Sequence, residues 1–391
     1  MSTKYPEIIL GLVTPMGRDI ASFIKQLETA FTPFGFTLID IEITHVLEPT
    51  VIIQTIQQHR QKHPALKKIY LLKSLKNLAE YEILNRVYDK NYFQVSGFSS
   101  LEKQKKSLLL ETEAGKNIAK LFDKSDFFVN LDATSSAIQI QVQKLADILF
   151  GNYREYPSPD EYGMAVAYTV SKRSNFPGER HVGACITAAS GEIIATGSIR
   201  APTAAANPTR AQEDSIQPGY AAYKTQLANF ETLIEDSNIP NPGKQALQEF
   251  VHNSMEFHPC THAEMSAISD AAKLGTSTRN ATLYSTTFPC HMCSKDIISS
   301  GIIKVVFLEA FPKSKNKELY SALIAIDPTE PIEGKVSFFT FCGVGPRKYN
   351  YFYSLENKQK ETMAFAEMIP PLLKFRLPDV YAESEERAKK S

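Results

Sequence analysis

Two cysteines three residues apart, Cys290 and Cys293, follow a proline in the stretch FPCHMC. At the start of a helix this spacing puts both sulfurs on one face. Pro289 suits such a start, because a first-turn N–H has no intrahelical acceptor anyway. The positive end of the helix dipole favours thiolate over thiol. A pair of this kind serves as a redox dithiol, as half of a structural zinc site, or as part of a catalytic metal centre. Upstream, THAEMSAI supplies His262 and Glu264. A redox dithiol has no use for them. A structural site needs a second Cys/His pair, and only His258 and Cys260 in HPCTH offer one. Cys260 reads better as a small packing residue. Two thiolates and the His262 imidazole suit zinc, and three protein ligands leave a fourth position for water, the mark of a catalytic site. Zinc brings the pKa of that water to about 7. In mid-helix, Glu264 would point away from His262. In a first turn it can lean toward the open position, as a proton shuttle rather than a ligand.

Composition sets bounds on this reading. The 391 residues suffice for two or three domains, and lysines plus arginines balance aspartates plus glutamates at 43 each. Zero net charge argues against a protein that coats nucleic acid, although it allows a local basic pocket. Five cysteines in a chain this long are no disulfide framework. Cys185 and Cys342 read as core residues. The opening MSTKYPEIILGLV reads as a buried strand rather than a signal peptide, and no run is long enough to span a bilayer. A reducing cytoplasm is the expected location.

The elements that must position these residues follow from periodicity. EIILGLV, FTLIDIEI, KKIYLLKSL and SDFFVNLDA read as strands, with helices in DIASFIKQLETAF, capped by Asp19, and SAIQIQVQKLADILFG. This alternation predicts a mainly parallel sheet covered by helices. Pro157 and Pro159 interrupt it in GNYREYPSPDEYG. Beyond lie a helix, DEYGMAVAYTVSKRS, and a hairpin turning at Ser190-Gly191. Between Arg200 and Asn253 one helix is predicted, GYAAYKTQLANFETLIED. Then come a helix closed by Gly275, the strand ATLYSTT, the cysteine helix closed by Gly301, and the strand IIKVVFLEA. The charged run ESEERAKKS reads as a solvated tail. The expected domains are 1–155, 156–375 and the tail 376–391.

His-Ala-Glu followed by Pro-Cys-X-X-Cys resembles the signature of the zinc-dependent cytidine and deoxycytidylate deaminases. MAVAYTVSKRSNFPGERHVGACITAASGEIIATGS, TLYSTTFPCHMCSKDIISSGIIKVVFLEAFPKS and FFTFCGVGPRKY are similar to segments of the same family, so the resemblance covers most of residues 160–353. It implies an α/β/α domain, homo-oligomers and hydrolytic deamination at C4 of a cytosine nucleotide. Zinc would sit on His262, Cys290 and Cys293, Glu264 would carry protons to N3 and to the leaving ammonia, and the backbone at Ala263 would hold the ring carbonyl. Lys172, Arg173 and Ser174 are candidates for the phosphates. Relatives often carry an asparagine just after the hairpin. Ile199 stands here instead in TGSIRAP, which leaves the sugar to Ser198 or Asn207.

The turn GLVTPMGRD joins a strand to a helix, where P-loops cradle phosphates. It is degenerate. Five residues separate Gly11 from Gly17, and Arg18 and Asp19 stand where lysine and serine or threonine belong. A degenerate P-loop kinase-like domain before a deoxycytidylate-deaminase-like domain resembles the bacterial two-domain anti-phage dCTP deaminases. The resemblance implies a regulatory nucleotide or other ligand at Gly11, Gly17, Arg18 and Asp19, without kinase catalysis. The expected function is deamination of dCTP and/or dCMP. The rivals are a deaminase of polymerised nucleic acid, disfavoured by the neutral charge, and a nucleotide sensor with an inactive deaminase shell, disfavoured by the intact metal and glutamate positions.

Overall fold

The computed structural model describes residues 5–14, 20–42, 49–63, 66–73, 75–99, 118, 120–122, 124–152, 154–174, 181–200, 216–253, 260–309, 314–354 and 377–389. In chain order the strands and helices are β1 (Glu7–Val13), α1 (Ala21–Phe31), β2 (Phe36–Glu42), α2 (Pro49–Lys62), β3 (Lys67–Lys73), α3 (Leu78–Tyr88), β4 (Tyr92–Phe98), β5 (Phe127–Asn130), α4 (Ser135–Leu149), α5 (Pro159–Ser171), β6 (Gly183–Thr187) and β7 (Ile193–Ser198). They continue with α6 (Ile216–Glu235), α7 (Asn241–Asn253), α8 (Ala263–Leu274), β8 (Thr282–Thr287), α9 (His291–Ser299), β9 (Lys304–Glu309), α10 (Asn316–Tyr320), β10 (Ile324–Ile326), β11 (Val336–Thr340), β12 (Gly343–Val344), α11 (Tyr349–Tyr353) and α12 (Pro378–Ala388).

The chain forms two compact units. The first joins residues 1–165 to residues 340–391, and the second is 166–339. The first unit thus runs to 165 rather than 155 and takes in 340–375, which the sequence reading assigned to the second domain. There β12 pairs antiparallel with β5, completing a sheet of order β12-β5-β4-β1-β3-β2. The other five strands are parallel, as the strand–helix alternation requires. Alternation along β1 divides the core. Ile8, Leu10 and Leu12 pack in one cluster with Phe23 and Leu27 of α1 and Val142 and Leu145 of α4. Ile9 and Val13 pack in the other with residues of α2, α3 and α12.

The charged C-terminal run is not a solvated tail. Within α12, Tyr381, Glu385 and Ala388 are buried at i, i+4 and i+7. Glu385 accepts from Arg60 at 3.0 and 2.9 Å and from the Tyr88 hydroxyl at 2.9 Å. Glu7 accepts from Arg60 at 2.9 Å, Lys68 at 3.4 Å, and the hydroxyls of Tyr70 and Tyr381 at 3.1 and 2.9 Å. Two carboxylates facing two cations neutralise one another in a place that would tolerate neither alone. Glu161 forms a second hub. It accepts from Lys144 Nζ at 2.7 Å, from the backbone N–H groups of Ser158 and Val344 at 2.7 and 2.8 Å, and from the Tyr353 hydroxyl at 2.8 Å.

The second unit holds a sheet of order β10-β11-β9-β8-β6-β7. The predicted hairpin is present, β6 and β7 being antiparallel. β6 and β8 are also antiparallel, and β8 and β9 are parallel. Two glycines let helices approach its faces. A Cβ on Gly183 would strike the Ala167 carbonyl and Ser171 of α5. A Cβ on Gly197 would strike the Ala263 carbonyl and the Ala267 nitrogen of α8. Gly183 pairs with Ser198 and Ala184 pairs with Gly197. The two glycines therefore point to opposite faces, with α5 on one and α8 on the other, the expected layering. Among the described residues between Arg200 and Asn253 there are two helices, α6 and α7, where one was predicted.

Candidate metal centre and its carboxylate

The face that carries α8 is built from a row of paired residues. Gly197 lies beside Ala184, Ala184 beside Ser285 of β8, and Ser285 beside Phe307 of β9. Paired residues share a face, so a glycine, an alanine and a serine form a floor low enough for the first turn of α8. His262 is the N-cap of that helix and Glu264 lies in its first turn. The neighbouring Thr261 is tied to Arg200, at the end of the hairpin, by a pair of backbone bonds of 3.2 and 2.8 Å.

Cys290 caps α9, its sulfur accepting from the Cys293 N–H at 3.5 Å. Pro289 therefore precedes the cap instead of occupying the first turn. Its carbonyl does the anchoring, accepting from Ser314 Oγ at 3.1 Å and Asn316 Nδ2 at 3.0 Å. Asn316 also donates to Ser294 Oγ at 2.7 Å. Neither Ser314 nor Asn316 was singled out from sequence, because their work is done through backbone that periodicity does not register.

The two helix starts bring His262, Cys290 and Cys293 together, their ligand atoms all within 4.8 Å of one another. His262 Nδ1 lies 3.4 Å from Cys290 Sγ and 3.3 Å from Cys293 Sγ. A tetrahedral ion with Zn–S of about 2.3 Å and Zn–N of about 2.0–2.1 Å requires S···N near 3.5 Å. The donor set and its spacing fit zinc. Glu264 Oε2 lies 3.5 Å from Cys293 Sγ, and Oε1 accepts from Ser285 Oγ at 3.0 Å. Glu264 and Ser285 are both buried.

The groups polarise one another. The Cys293 hydrogen bond, reinforced by His262, brings Cys290 down to about 4 against the push of burial. Burial works against charge on His262 as well, yet hydrogen bonds with Cys260 and Cys290 raise it to about 11. Burial pushes Cys293 up. Burial also pushes Glu264 up, the Cys290 charge adding to it, while His262 and the Ser285 bond pull it back.

Of the other candidates from sequence, Ala263 stands at this centre, between His262 and Glu264, while Ser198, Lys172, Arg173, Ser174 and Gly11 are not drawn to it. Ala263 is in the first turn of α8, fully buried. Ser198 shares the face of Gly183, which α5 covers, so its side chain is on the far side of the sheet from Glu264. Ser174 donates to the Val182 carbonyl at 3.4 Å, and Lys172 lies 5.5 Å over the Tyr168 ring. Lys172 and Arg173 are exposed in the turn that ends α5, the helix of that same far face. Gly11 lies inside β1, paired with Leu72 and Gln94, not in the turn beyond it. A Cβ there would meet the Tyr92 hydroxyl and Leu75, so close packing explains it. Gly17, Arg18, Asp19 and Asn207 lie outside the described residues.

Residues 157–309 match the family model of the cytidine and deoxycytidylate deaminase zinc-binding region. The deoxycytidylate deaminase of Enterobacteria phage T2 is 32% identical over 162 residues, which are 39% of this chain and 80% of that enzyme. The chain belongs to the cytidine and deoxycytidylate deaminase family. The deoxycytidylate deaminase of Homo sapiens is 29% identical over 157 residues, 40% of this chain and 66% of its own. Among solved structures, the dCMP deaminase of cyanophage S-TIM5 is 19% identical and covers 48% of this chain and 100% of its own, with a TM-score of 0.28. Among the described residues no helix is long and apolar enough to cross a membrane.

Proposed function

We propose that the chain is a zinc-dependent hydrolase that deaminates deoxycytidine nucleotides, dCTP and/or dCMP, to the deoxyuridine forms. The observation that carries this is a buried carboxylate, Glu264, whose Oε2 lies 3.5 Å from a sulfur of the His262–Cys290–Cys293 trio. Held by those three side chains, zinc would supply Lewis acidity that makes a water acidic near neutral pH. Glu264 accepts the proton of the attacking water on Oε2, passes it to N3 of the ring, and helps the C4 amino group leave as ammonia. The backbone N–H at Ala263, in the first turn of α8, would hold the ring carbonyl. Burial keeps bulk water from competing for the glutamate proton.

The first unit is proposed to be a degenerate P-loop kinase-like regulatory domain. Its strand order β2-β3-β1-β4-β5 supports this. β1 lies between β3 and β4, where the order reverses, and ligands in open parallel sheets bind beyond the carboxyl ends at such a point. A cytoplasmic homo-oligomer that draws down the deoxycytidine nucleotide pool during phage infection is the biological reading we attach to this pairing. The test is ammonia release by the zinc-loaded full chain, with dCMP, dCTP, cytidine nucleotides and single-stranded DNA as substrates. Release from the free deoxycytidine nucleotides is expected, and release from the polymer alone would overturn the reading.

A further inference from the structure

We infer that Ser285 is a positioning residue, fixing which oxygen of Glu264 handles the proton; this rests on the proposed role of Glu264. A carboxylate has two equivalent oxygens and a soft terminal torsion. Here they are made inequivalent. Oε1 accepts from Ser285 Oγ at 3.0 Å, and Oε2 faces the ligand trio. Both side chains are buried, Glu264 4% and Ser285 0% exposed, so water does not substitute for the hydroxyl.

The origin of that hydroxyl is rigid. β8 is paired on both sides, and Ser285 lies between Ala184 and Phe307. The Thr287 N–H points at Ser285 Oγ at 3.5 Å. A donor on the oxygen's lone-pair side leaves the hydroxyl proton directed at Glu264. Ser285 can serve both states of the shuttle. It donates to Oε1 of the carboxylate, and it still donates to Oε1 when Oε2 carries the proton. The transferred proton is thereby kept on Oε2, the oxygen beside the metal ligands, and the carboxyl group does not rotate it out of reach. A shuttle with one productive oxygen gains in alignment at each of its two transfers.

The test compares Ser285→Val with Ser285→Thr, which share a shape and differ by the hydroxyl, alongside Ser285→Ala and Glu264→Gln. Zinc content and thermal midpoint are measured together with kcat and KM for deoxycytidine nucleotides. Losing a hydrogen bond to a charged group predicts a fall in kcat of about 10- to 100-fold for the valine and alanine variants. KM and zinc stoichiometry stay at wild-type values, and threonine recovers most of the loss. Wild-type kcat in the valine and alanine variants, with Glu264→Gln inactive, overturns the Ser285 inference and leaves the Glu264 reading standing. Zinc loss in both hydroxyl-free variants also overturns it, since Ser285 would then build the metal site. An active Glu264→Gln enzyme overturns the reading of Glu264 itself.

Discussion

Cys290 and Cys293 do different work although they are spaced as a pair. Cys290 caps α9 and is drawn down by its bond with Cys293, whereas Cys293 is fully buried and touches Glu264. Replacing Cys293 by alanine removes a sulfur from the trio and a neighbour from the glutamate. Zinc measured by elemental analysis is expected to fall well below one per chain, with ammonia release lost alongside it. That His262, Cys290 and Cys293 gather with Glu264 beside them was expected from residue type and spacing, because ligand chemistry restricts both. Ser285 was not. In ATLYSTT it is one of several hydroxyl residues, and only the pairing Ala184↔Ser285 reveals which of them faces Glu264.

Among elements, the contact of α8 with β7 decides where His262 and Glu264 stand. Gly197→Ala places a methyl group against backbone atoms of Ala263 and Ala267, which cannot yield as a flexible side chain would. The helix must shift outward, carrying both functional residues from the cysteines. Reduced zinc occupancy and faster amide exchange in 263–274 are expected, with little change in the first unit. Most elements were readable where one face is apolar. β4 was missed because it is buried along its whole length, so no alternation marks it, and polar Gln94 and Ser96 interrupt its apolar run. α12 was missed for the opposite reason. Its buried stripe is tyrosine, glutamate and alanine within a charged run, and hydrophobic periodicity does not count a glutamate that finds Arg60.

At the scale of the molecule, the first unit depends on residues more than two hundred positions from its own opening strands. Glu385→Ala would leave Arg60 buried beside a single carboxylate, and breaking such a cluster costs about 3–5 kcal/mol. A lower thermal midpoint for the first unit is the expected result. A fragment of residues 1–165 is expected to lack a cooperative melt, because it loses Glu385, Tyr381 and β12 together. Joining 340–391 to it by a flexible linker should restore the transition, as read by circular dichroism. Chelation should lower only the transition of the second unit, since binding energy at the metal trio is folding energy for the elements that carry it.

The split of the first unit also sets a timetable. A ribosome that has just released α4 must still make roughly two hundred and forty residues before α12 emerges, about 12–50 s at ordinary elongation rates. Through that interval Glu7, Arg60 and Lys68 wait without Glu385 and Tyr381, and through most of it the edge of β5 waits without β12. The metal-binding segment is synthesised whole inside this gap. During biogenesis the unit carrying the chemistry can therefore mature first, and the unit made first closes last.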